Sequence, residues 1–322
     1  MPQQKILVVG GAGFIGSHVN KRLDQKGYQT IVFDNLSQGA REAATRGAFF
    51  LGDTANSADL DKIFSTHKID AVMHFAALID VGESVKDPSK YYHNNVCNTL
   101  NLLDAMRRFD VKNIIFSSSA AIFGVPQTPI LAETHACSPI NPYGESKLTV
   151  EKILHSFDHA YGIRSCCLRY FNAAGGDPEG EVKNYKKKET NLIPLILKSL
   201  KNQGSITIFG TDYPTTDGTC IRDYIHVNDL ADAHISAMEK LLTGAPSMQY
   251  NLGNGHGFSV REVIAATEKV TGLKVKVIEG ARREGDPPVL VADSTKAQKE
   301  LHWKPLYPQL EQMISHAWKA IS

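Results

Sequence analysis

Residues 5–16, KILVVGGAGFIG, decide the fold of this chain. The apolar run at the start predicts a short buried strand, and residues 17–26 predict a helix after the glycines. The glycines fit G-x-x-G-x-x-G or G-x-G-x-x-G, depending on whether Gly10 or Gly11 is counted first. A backbone without β-carbons can approach a pyrophosphate closely, and the helix N-terminus offers amides and partial positive charge. Strand, glycine turn and helix in this order predict a dinucleotide-binding unit.

An acidic residue follows the second predicted strand, residues 29–33. Asp34 stands about twenty residues beyond the glycine turn, the position from which an acid binds the ribose hydroxyls of NAD. Asp34 would repel the extra phosphate of NADP, and no arginine directly follows it. The sequence therefore predicts NAD and disfavours an NADPH-dependent reductase. Asp53 follows the next strand, residues 48–51, and is expected near the adenine.

Strands and helices then alternate with short connections. Further strands are predicted over residues 71–75, 113–116 and 165–168, with a long helix over 91–108. This alternation predicts an α/β fold of the Rossmann type, a doubly wound parallel sheet. After Asn172 the pattern breaks, and a second lobe is expected. A helix at 227–241 and a strand at 248–252 are predicted farther along the chain. The later part of the second lobe is predicted to contain a helix at 260–271 and a strand at 274–278, with a last helix near 310–320.

Tyr143 and Lys147 lie four residues apart after Asn141-Pro142, a favourable helix start. Residues at this spacing share one helix face, so the phenol and the ammonium are neighbours. A nearby positive charge lowers the pKa of a phenol from about 10 toward the range of a general base. Ser119 ends the strand before this helix and is expected to hydrogen-bond a substrate hydroxyl beside Tyr143. These three residues are the predicted catalytic group.

Composition excludes several classes of function. A formal net charge of +1 over 322 residues gives no general attraction to nucleic acid or anionic membranes. The length exceeds a usual single core, so two packed lobes are expected. The five cysteines show no metal-ligand spacing and no even disulfide framework, which predicts reduced thiols, no metal and a cytoplasmic location. No signal peptide or long apolar span is recognised, and the basic run at 183–188 is interpreted as a solvated loop.

The sequence resembles the extended short-chain dehydrogenase/reductases and, within them, the UDP-glucose 4-epimerases. The similarity extends over essentially the whole chain, and the order and spacing of its motifs carry it. The matching motifs are GGAGFIGSH (10–18), DNLS (34–37), HFAA (74–77), VGESV (81–85), NNV (94–96), FSSSA (116–120), SPINPYGESK (138–147), LRYFNAAG (168–175), NLIP (191–194), IFGTDYPTTDGTCIRDYIHVNDLADAH (208–234), YNLGNG (250–255) and RREGDPP (282–288).

The resemblance implies a reaction on UDP-glucose and UDP-galactose. Tyr143 would take the proton of the hexose 4-hydroxyl while the C4 hydride passes to NAD. The 4-keto sugar would turn over in the pocket and recover the hydride on its other face. Lys147 would tune Tyr143 and hold the nicotinamide ribose, and Ser119 would bridge the sugar and the phenol. NAD would stay tightly bound because it is not consumed.

The resemblance also implies two sets of binding residues. Arg222 and Arg283 would clamp the UDP diphosphate, because guanidinium groups make paired, charge-assisted hydrogen bonds. Phe209 would lie near uracil, and Asp286 would contact the nucleotide ribose. The implied cofactor set is Gly10, Gly13, Phe14, Ile15, Gly16, Asp34, Asn35, Leu36, Ser37, Asp53, Thr54, Phe75, Ala76, Ala77, Asn94, Ser117, Tyr143, Lys147, Tyr170 and Phe171. The implied substrate set is Ser119, Tyr143, Asn172, Asn191, Leu192, Thr207, Phe209, Arg222, Arg283, Asp286 and Leu290.

The implied organisation is a discontinuous pair of domains. An NAD-binding domain takes residues 1–173 plus about 220–256, and a UDP-sugar-binding domain takes 174–219 plus about 257–322. A homodimer is expected, with helices 91–108 and 142–160 of both copies forming a four-helix bundle.

Three positions depart from the family pattern. Ile79 stands where some members carry a cofactor-contacting lysine, and Phe123 replaces a common tyrosine. Leu290 is intermediate between a tyrosine, which closes the pocket to N-acetylated sugars, and a small residue, which opens it. A UDP-N-acetylglucosamine/UDP-N-acetylgalactosamine or dual-specificity epimerase therefore stays open as an alternative.

Two other classes are weighed. A sugar-nucleotide 4,6-dehydratase is disfavoured because Ser118-Ser119-Ala120 stands where those enzymes usually carry Thr-Asp-Glu. A non-catalytic, NAD-responsive binding protein would not need the intact Ser119, Tyr143 and Lys147.

Overall fold

The computed structural model describes residues 4–185, 189–283 and 286–321. Its strands are β1 (Lys5–Val9), β2 (Gln29–Asp34), β3 (Ala48–Leu51), β4 (Ala71–His74), β5 (Asn113–Ser119), β6 (Ile130–Leu131), β7 (Arg164–Tyr170), β8 (Asn172–Ala174), β9 (Ser205–Phe209), β10 (Ile221–His226), β11 (Met248–Leu252), β12 (Gly257–Ser259), β13 (Lys276–Gly280) and β14 (Val289–Ala292). Its helices are α1 (Phe14–Gln25), α2 (Ser57–Thr66), α3 (Val81–Lys86), α4 (Pro88–Tyr91), α5 (Asn98–Arg108), α6 (Pro142–Tyr161), α7 (Leu192–Lys201), α8 (Val227–Leu242), α9 (Val260–Thr271), α10 (Thr295–Leu301) and α11 (Leu310–Ile321).

Seven parallel strands form the main sheet, in the order β11-β7-β5-β4-β1-β2-β3. The chain winds outward from β1 in both directions, first to β2 and β3 and then through β4 to β11. This order confirms the predicted doubly wound parallel sheet. Its topological switch point lies between β1 and β4, where the carboxyl ends of the strands leave a crevice for ligands.

The apolar run in β1 is continuous because helices cover both faces of the sheet. Successive side chains of a strand point to opposite faces, so Ile6 and Val8 enter the core under α1 and α8. Leu7 and Val9 enter the core under α2, α5 and α6. All four side chains are fully buried. The sequence that precedes the glycine turn is thus fixed rigidly from both sides.

A smaller lobe is built around β10. This strand pairs in parallel with β14 and β8 and antiparallel with β12, while β14 also pairs with β6. A separate parallel pair joins β9 and β13. Helices α7, α9 and α11 pack around the apolar core of this lobe.

Three elements associate across the predicted domain boundaries. β6 and β10 fall within the predicted NAD-binding ranges. In the structure both are strands of the smaller lobe's sheet, where each pairs with β14. α10 falls within the predicted substrate range, but Ala297 and Leu301 pack in the core beneath the main sheet. β11 returns to the edge of the main sheet, which is the discontinuity that the sequence predicts. The boundaries themselves stay a prediction.

The elements differ from the sequence predictions mainly at their ends. α1 begins at Phe14 rather than at residue 17, because the helix starts directly from the glycine turn. β5 runs on to Ser119, so the three serines lie within the strand. The helix predicted over 91–108 contains a π-helical turn, Tyr92–Cys97, before α5 begins. The predicted strand 274–278 lies two residues later, as β13.

Parts of two sequence motifs lie outside the described residues: 186–188 of the basic run and 284–285 of RREGDPP. Among the residues that the structure describes, every helix is too short or too polar for a transmembrane span.

Candidate active site

The glycine turn forms a tight cradle at the carboxyl end of β1. A Cβ on Gly10 would lie 2.5 Å from the Ala76 backbone nitrogen, and one on Gly16 would lie 2.3 Å from the Gly10 carbonyl oxygen. A Cβ on Gly13 would meet, among the described residues, the Gly10 oxygen at 3.3 Å, so Gly13 faces an open side. Gly13 is also the N-cap of α1. Because glycine has no side chain, it makes no capping hydrogen bond to the first amides of the helix. Free amides and open backbone fit a dinucleotide pyrophosphate here.

The predicted adenosine residues lie together at the end of β2. The Asp34 carboxylate is 8% exposed and accepts hydrogen bonds from the amides of Ala12 (2.9 Å) and Leu36 (2.8 Å). Each carboxylate oxygen keeps further acceptor capacity, which suits ribose hydroxyls. Leu36 has φ 58, a left-handed conformation that is uncommon outside glycine and clusters at ligand sites. Asn35 donates to Asp53 Oδ2 at 2.9 Å, which brings the adenine-side acid to the same loop.

The other predicted cofactor residues occupy the same edge of the sheet. The Ser117 hydroxyl, near the end of β5, is hydrogen-bonded to the Tyr170 hydroxyl at the end of β7. Phe75 follows β4 and packs against the His234 ring, with the ring centroids 5.0 Å apart. Phe14 and Ile15 begin α1, Ser37 and Thr54 follow β2 and β3, Ala76 and Ala77 follow β4, Asn94 lies in the π-helical turn, and Phe171 follows β7. The site therefore fits NAD.

Helix α6, which carries Tyr143 and Lys147, is anchored at its first turn. The Asn141 side chain caps it by accepting from the Gly144 amide at 2.9 Å. A Cβ on Gly144 would lie 2.5 Å from the Ala121 oxygen, so the helix packs directly against the turn after Ser119. Tyr143 is half-buried and hydrogen-bonds Ser119. The structure thus brings the predicted phenol and serine together.

Lys147 is buried, and its ammonium is hydrogen-bonded to the end of β5. Its Nζ donates to the Ser117 carbonyl oxygen at 2.8 Å and lies 6.0 Å from the centroid of the Tyr143 ring. Burial lowers the pKa of Lys147 to about 7, and the nearby Glu151 carboxylate opposes this shift. Burial raises the pKa of Tyr143, opposed by the hydrogen bond with Ser119. In the chain by itself burial sets the direction of the Tyr143 pKa, and the lowering of that pKa by Lys147 stays a prediction.

The nucleotide end of the site is assembled from β9, β10 and the segment before β14. Arg222 donates to Asp286 Oδ1 at 3.1 Å and to the Pro287 oxygen at 2.8 Å. The Arg283 guanidinium stacks on the Phe209 ring, 4.0 Å from its centroid. Thr207 lies two residues before Phe209 on β9. The residues predicted for diphosphate, uracil and ribose are therefore neighbours.

The remaining predicted substrate residues are placed individually. Asn172 donates to the Asp223 carbonyl oxygen at 2.8 Å, and Asn191 lines one cavity together with Phe14. Leu192 packs against the core of the smaller lobe. Leu290 pairs with Arg222 in the sheet and packs against the apolar cluster that contains Phe123, which Phe171 also borders. Ile79 is 46% exposed.

Sequence analysis missed two buried groups beside the catalytic residues. The Asn95 side chain binds both backbone groups of Leu78 and donates to Ser146 Oγ at 3.0 Å, which ties the π-helical turn to α6. Glu151 forms a buried ion pair with Arg169 at 2.6 Å. The spacing of Glu151, four residues after Lys147, was the signal that points to it.

The sequence matches the model of the NAD dependent epimerase/dehydratase family over residues 6–253. It is 51% identical, over 314 residues, to a protein of Halalkalibacterium halodurans named UDP-glucose 4-epimerase, covering 97% of this chain and 94% of that protein.

Two solved structures are similar over nearly their full length. The structure of UDP-glucose 4-epimerase from Brucella ovis in complex with NAD has a TM-score of 0.96 and 46% identity, covering 98% of this chain and 97% of that one. That of UDP-glucose 4-epimerase from Bifidobacterium longum in complex with NAD+ and UDP has a TM-score of 0.93 and 38% identity, covering 98% of each chain.

Proposed function

This chain belongs to the NAD dependent epimerase/dehydratase family, and from that premise we propose that it is a UDP-glucose 4-epimerase, which interconverts UDP-glucose and UDP-galactose. One observation carries the proposal. Tyr143, hydrogen-bonded to Ser119, stands at the edge of the sheet that holds the glycine cradle. A general base beside a dinucleotide site is what reversible oxidation of a sugar hydroxyl requires.

The residues divide the reaction between binding and proton transfer. When bound, NAD supplies the acceptor for the C4 hydride and the positive charge of its oxidised ring. Tyr143 Oη takes the proton of the 4-hydroxyl and returns it after the 4-keto sugar has turned over. Ser119 Oγ orients the phenol and the sugar hydroxyl. Lys147, in its ammonium form, stabilises the phenolate.

The nucleotide end allows the sugar to turn. Arg222 and Arg283 offer guanidinium groups to the diphosphate, and Phe209 offers an aromatic face to uracil. Because these contacts to UDP supply most of the binding free energy, the hexose needs few fixed contacts of its own. It can then present either face of C4 to the nicotinamide without leaving the enzyme.

The test is conversion without an external oxidant. Purified, NAD-loaded protein is incubated with UDP-galactose and no added hydride acceptor, and UDP-glucose is followed by ¹H NMR. Appearance of UDP-glucose supports the proposal, whereas no conversion by a folded, NAD-loaded sample rejects it. Binding of UDP-sugar without turnover would favour the non-catalytic alternative.

We also propose that the pocket accepts UDP-N-acetylhexosamines to some degree. Leu290 packs against the apolar cluster that contains Phe123, next to the turn that follows Ser119, and leucine is smaller than a tyrosine in that wall. Leu290→Tyr should lower kcat/KM for UDP-N-acetylgalactosamine at least tenfold more than kcat/KM for UDP-galactose. Leu290→Met, which conserves volume, is the control. Equal effects on both substrates would remove Leu290 from specificity.

We further infer a homodimer formed through α5 and α6. Val96, Ile153 and Phe157 are only partly buried, and the Phe157 and Tyr161 rings meet edge to face at 5.1 Å. Burying this apolar face against a second copy would stabilise a dimer. Light scattering should give twice the mass of 35.3 kDa, and Phe157→Glu should give the monomer. A monomeric wild-type chain at micromolar concentration contradicts the inference.

A cytoplasmic location also remains a proposal. All five cysteines are free thiols, a usage that suits a reducing compartment. Fractionation of the source cells is the test, and recovery in an oxidising compartment would refute the proposal.

A further inference from the structure

Three consecutive serines at the end of β5 each engage a different group of α6. The Ser117 carbonyl oxygen accepts from Lys147 Nζ at 2.8 Å, and Ser119 hydrogen-bonds Tyr143. Between them, Ser118 Oγ donates to Glu151 Oε1 at 2.5 Å. Glu151 lies one helical turn beyond Lys147 on the same helix face. The end of the strand is therefore held by the phenol, the ammonium and a carboxylate together.

Glu151 is itself fixed by a buried ion pair. Arg169 donates to it through Nε at 3.0 Å and Nη2 at 2.6 Å, and Nη2 also donates to Gln249 Oε1 at 3.1 Å. The side chains are only 4% and 7% exposed for Arg169 and Glu151, respectively. Desolvation offsets much of the attraction within such a pair, and removing one partner leaves the other charge buried and uncompensated.

Among the titratable groups of the described residues that face Lys147, Glu151 is the carboxylate, and the others are uncharged at neutral pH. His74, on β4, is neutral at neutral pH because burial lowers its pKa to about 3. Tyr143 on the same helix and Tyr170 on β7 are neutral because burial raises their pKa values. The Phe116 ring centroid on β5 lies 4.9 Å from Nζ. Glu151 raises the pKa of Lys147 although it is paired with Arg169.

Resting on the proposed function, we propose that Glu151 is a positioning residue for epimerisation: held by Arg169 and Ser118, its carboxylate fixes the serine-bearing end of β5 against α6 and favours the charged form of Lys147, one helical turn away. It touches neither the sugar nor NAD and acts through Lys147. A larger share of the molecules then presents an ammonium beside Tyr143 when the phenolate forms.

The test separates charge from shape with Glu151→Gln, which keeps hydrogen-bonding groups and removes the charge. Lys147 is titrated in the purified protein by ¹³C NMR of Cε-labelled lysine, assigned with Lys147→Met. The expected result is a pKa about one unit lower than in wild type. In the epimerisation assay, kcat should fall about tenfold at pH 8 but only about twofold at pH 6, since a pKa near 7 moves to near 6.

Asp229→Asn is the matched control. Asp229 is a buried acid on α8 that accepts from the amides of Leu306 and Tyr307. Its replacement should lower the melting temperature without moving the Lys147 titration or the alkaline limb of kcat. If Glu151→Gln does not fold, the double variant Glu151→Gln/Arg169→Leu removes both charges and should still lower the Lys147 pKa, but by less than the single variant, because the repelling guanidinium is lost together with the carboxylate.

An unchanged Lys147 pKa in a folded variant overturns the proposal, as does a kcat loss that is equal at both pH values. The NMR titration does not depend on turnover. A wild-type protein that fails to epimerise would therefore reject the proposed function while leaving the effect of Glu151 on Lys147 to be decided by the titration.

Discussion

Replacing Gly13 by alanine should weaken NAD binding at least about tenfold while leaving the fold nearly as stable as before. Gly13 has φ −82 and ψ 175, an extended conformation that alanine adopts without strain. A Cβ there would meet the Gly10 oxygen at 3.3 Å, a contact that a shift of a few tenths of an ångström relieves. The methyl group would project into the open side of the cradle, where the pyrophosphate must approach the backbone.

The expected free energies follow from this geometry. Restricting the unfolded chain stabilises alanine over glycine by about 0.4–1 kcal/mol, and alanine is a poorer N-cap than glycine by a similar amount. The free energy of unfolding of the NAD-free protein should therefore change by less than about 1 kcal/mol. NAD affinity should fall at least about tenfold, or about 1.4 kcal/mol.

Gly10→Ala is the informative contrast. The new Cβ would lie 2.5 Å from the Ala76 backbone nitrogen, an overpacking that costs about 1–3 kcal/mol. Gly10 also has a φ of 79, so alanine there adds left-handed strain of about 1–2 kcal/mol. Gly27→Ala has φ 85 but meets nothing within 4 Å among the described residues, so it measures the strain alone.

Urea unfolding of NAD-free protein gives the stabilities, and calorimetry with NAD gives the affinities. Stability loss in Gly13→Ala equal to that in Gly10→Ala would refute the geometric argument. Wild-type NAD affinity in Gly13→Ala would refute the assignment of the cradle to the pyrophosphate.

Three further predictions follow from the same geometry. Tyr143→Phe should lower kcat by at least about a thousandfold, within the usual range for loss of a general base, while calorimetry shows unchanged UDP binding; retained turnover would reject the base. Arg222→Lys should weaken UDP binding at least about tenfold because the guanidinium fork is lost, whereas Arg261→Lys, at an exposed pair with Glu279, should not. Stability should fall on acidification because burial lowers the pKa of four histidines from 6.5 to about 4 or 3, so the stability they contribute is present above pH 6.5 and lost as pH falls toward these values. The four are His18, His74, His226 and His234. Asp223 and Asp229 oppose this effect because burial raises their pKa values to about 6. At pH 5 the unfolded chain therefore binds about two more protons than the folded chain, and the free energy of unfolding measured with urea should change by about 2.7 kcal/mol per pH unit. A free energy of unfolding that stays constant between pH 6.5 and 5 would contradict the burial of these groups.

The parts of the fold that are predictable from the sequence are those encoded locally. The segment from Lys5 to Gln25 combines an apolar run, which predicts a buried strand, with glycines, which predict a tight turn before the helix. α6 carries its own start signal in Asn141-Pro142 and its own stop in Gly162, whose φ is 65. Such elements need no knowledge of distant contacts.

The elements that escape prediction depend on distant partners. β6 has only two residues and exists because β14 pairs with it from more than 150 positions away. The π-helical turn occurs where the Asn95 side chain hydrogen-bonds to the backbone N–H and C=O of Leu78. The periodicity of apolar residues along a helix does not predict such a contact. Short pairings and side-chain bonds to loops are tertiary events, so a sequence pattern carries little trace of them.

The catalytic group illustrates the same division at the level of charge. Spacing on a helix correctly puts Tyr143 and Lys147 on one face, because that depends only on helical geometry. Their ionisation depends on how much water the whole fold removes, and here burial moves both pKa values toward the neutral forms. A buried site that must form a phenolate beside an ammonium therefore needs a further charge from outside the motif. Glu151, held in the interior by its ion pair with Arg169, is placed to provide it.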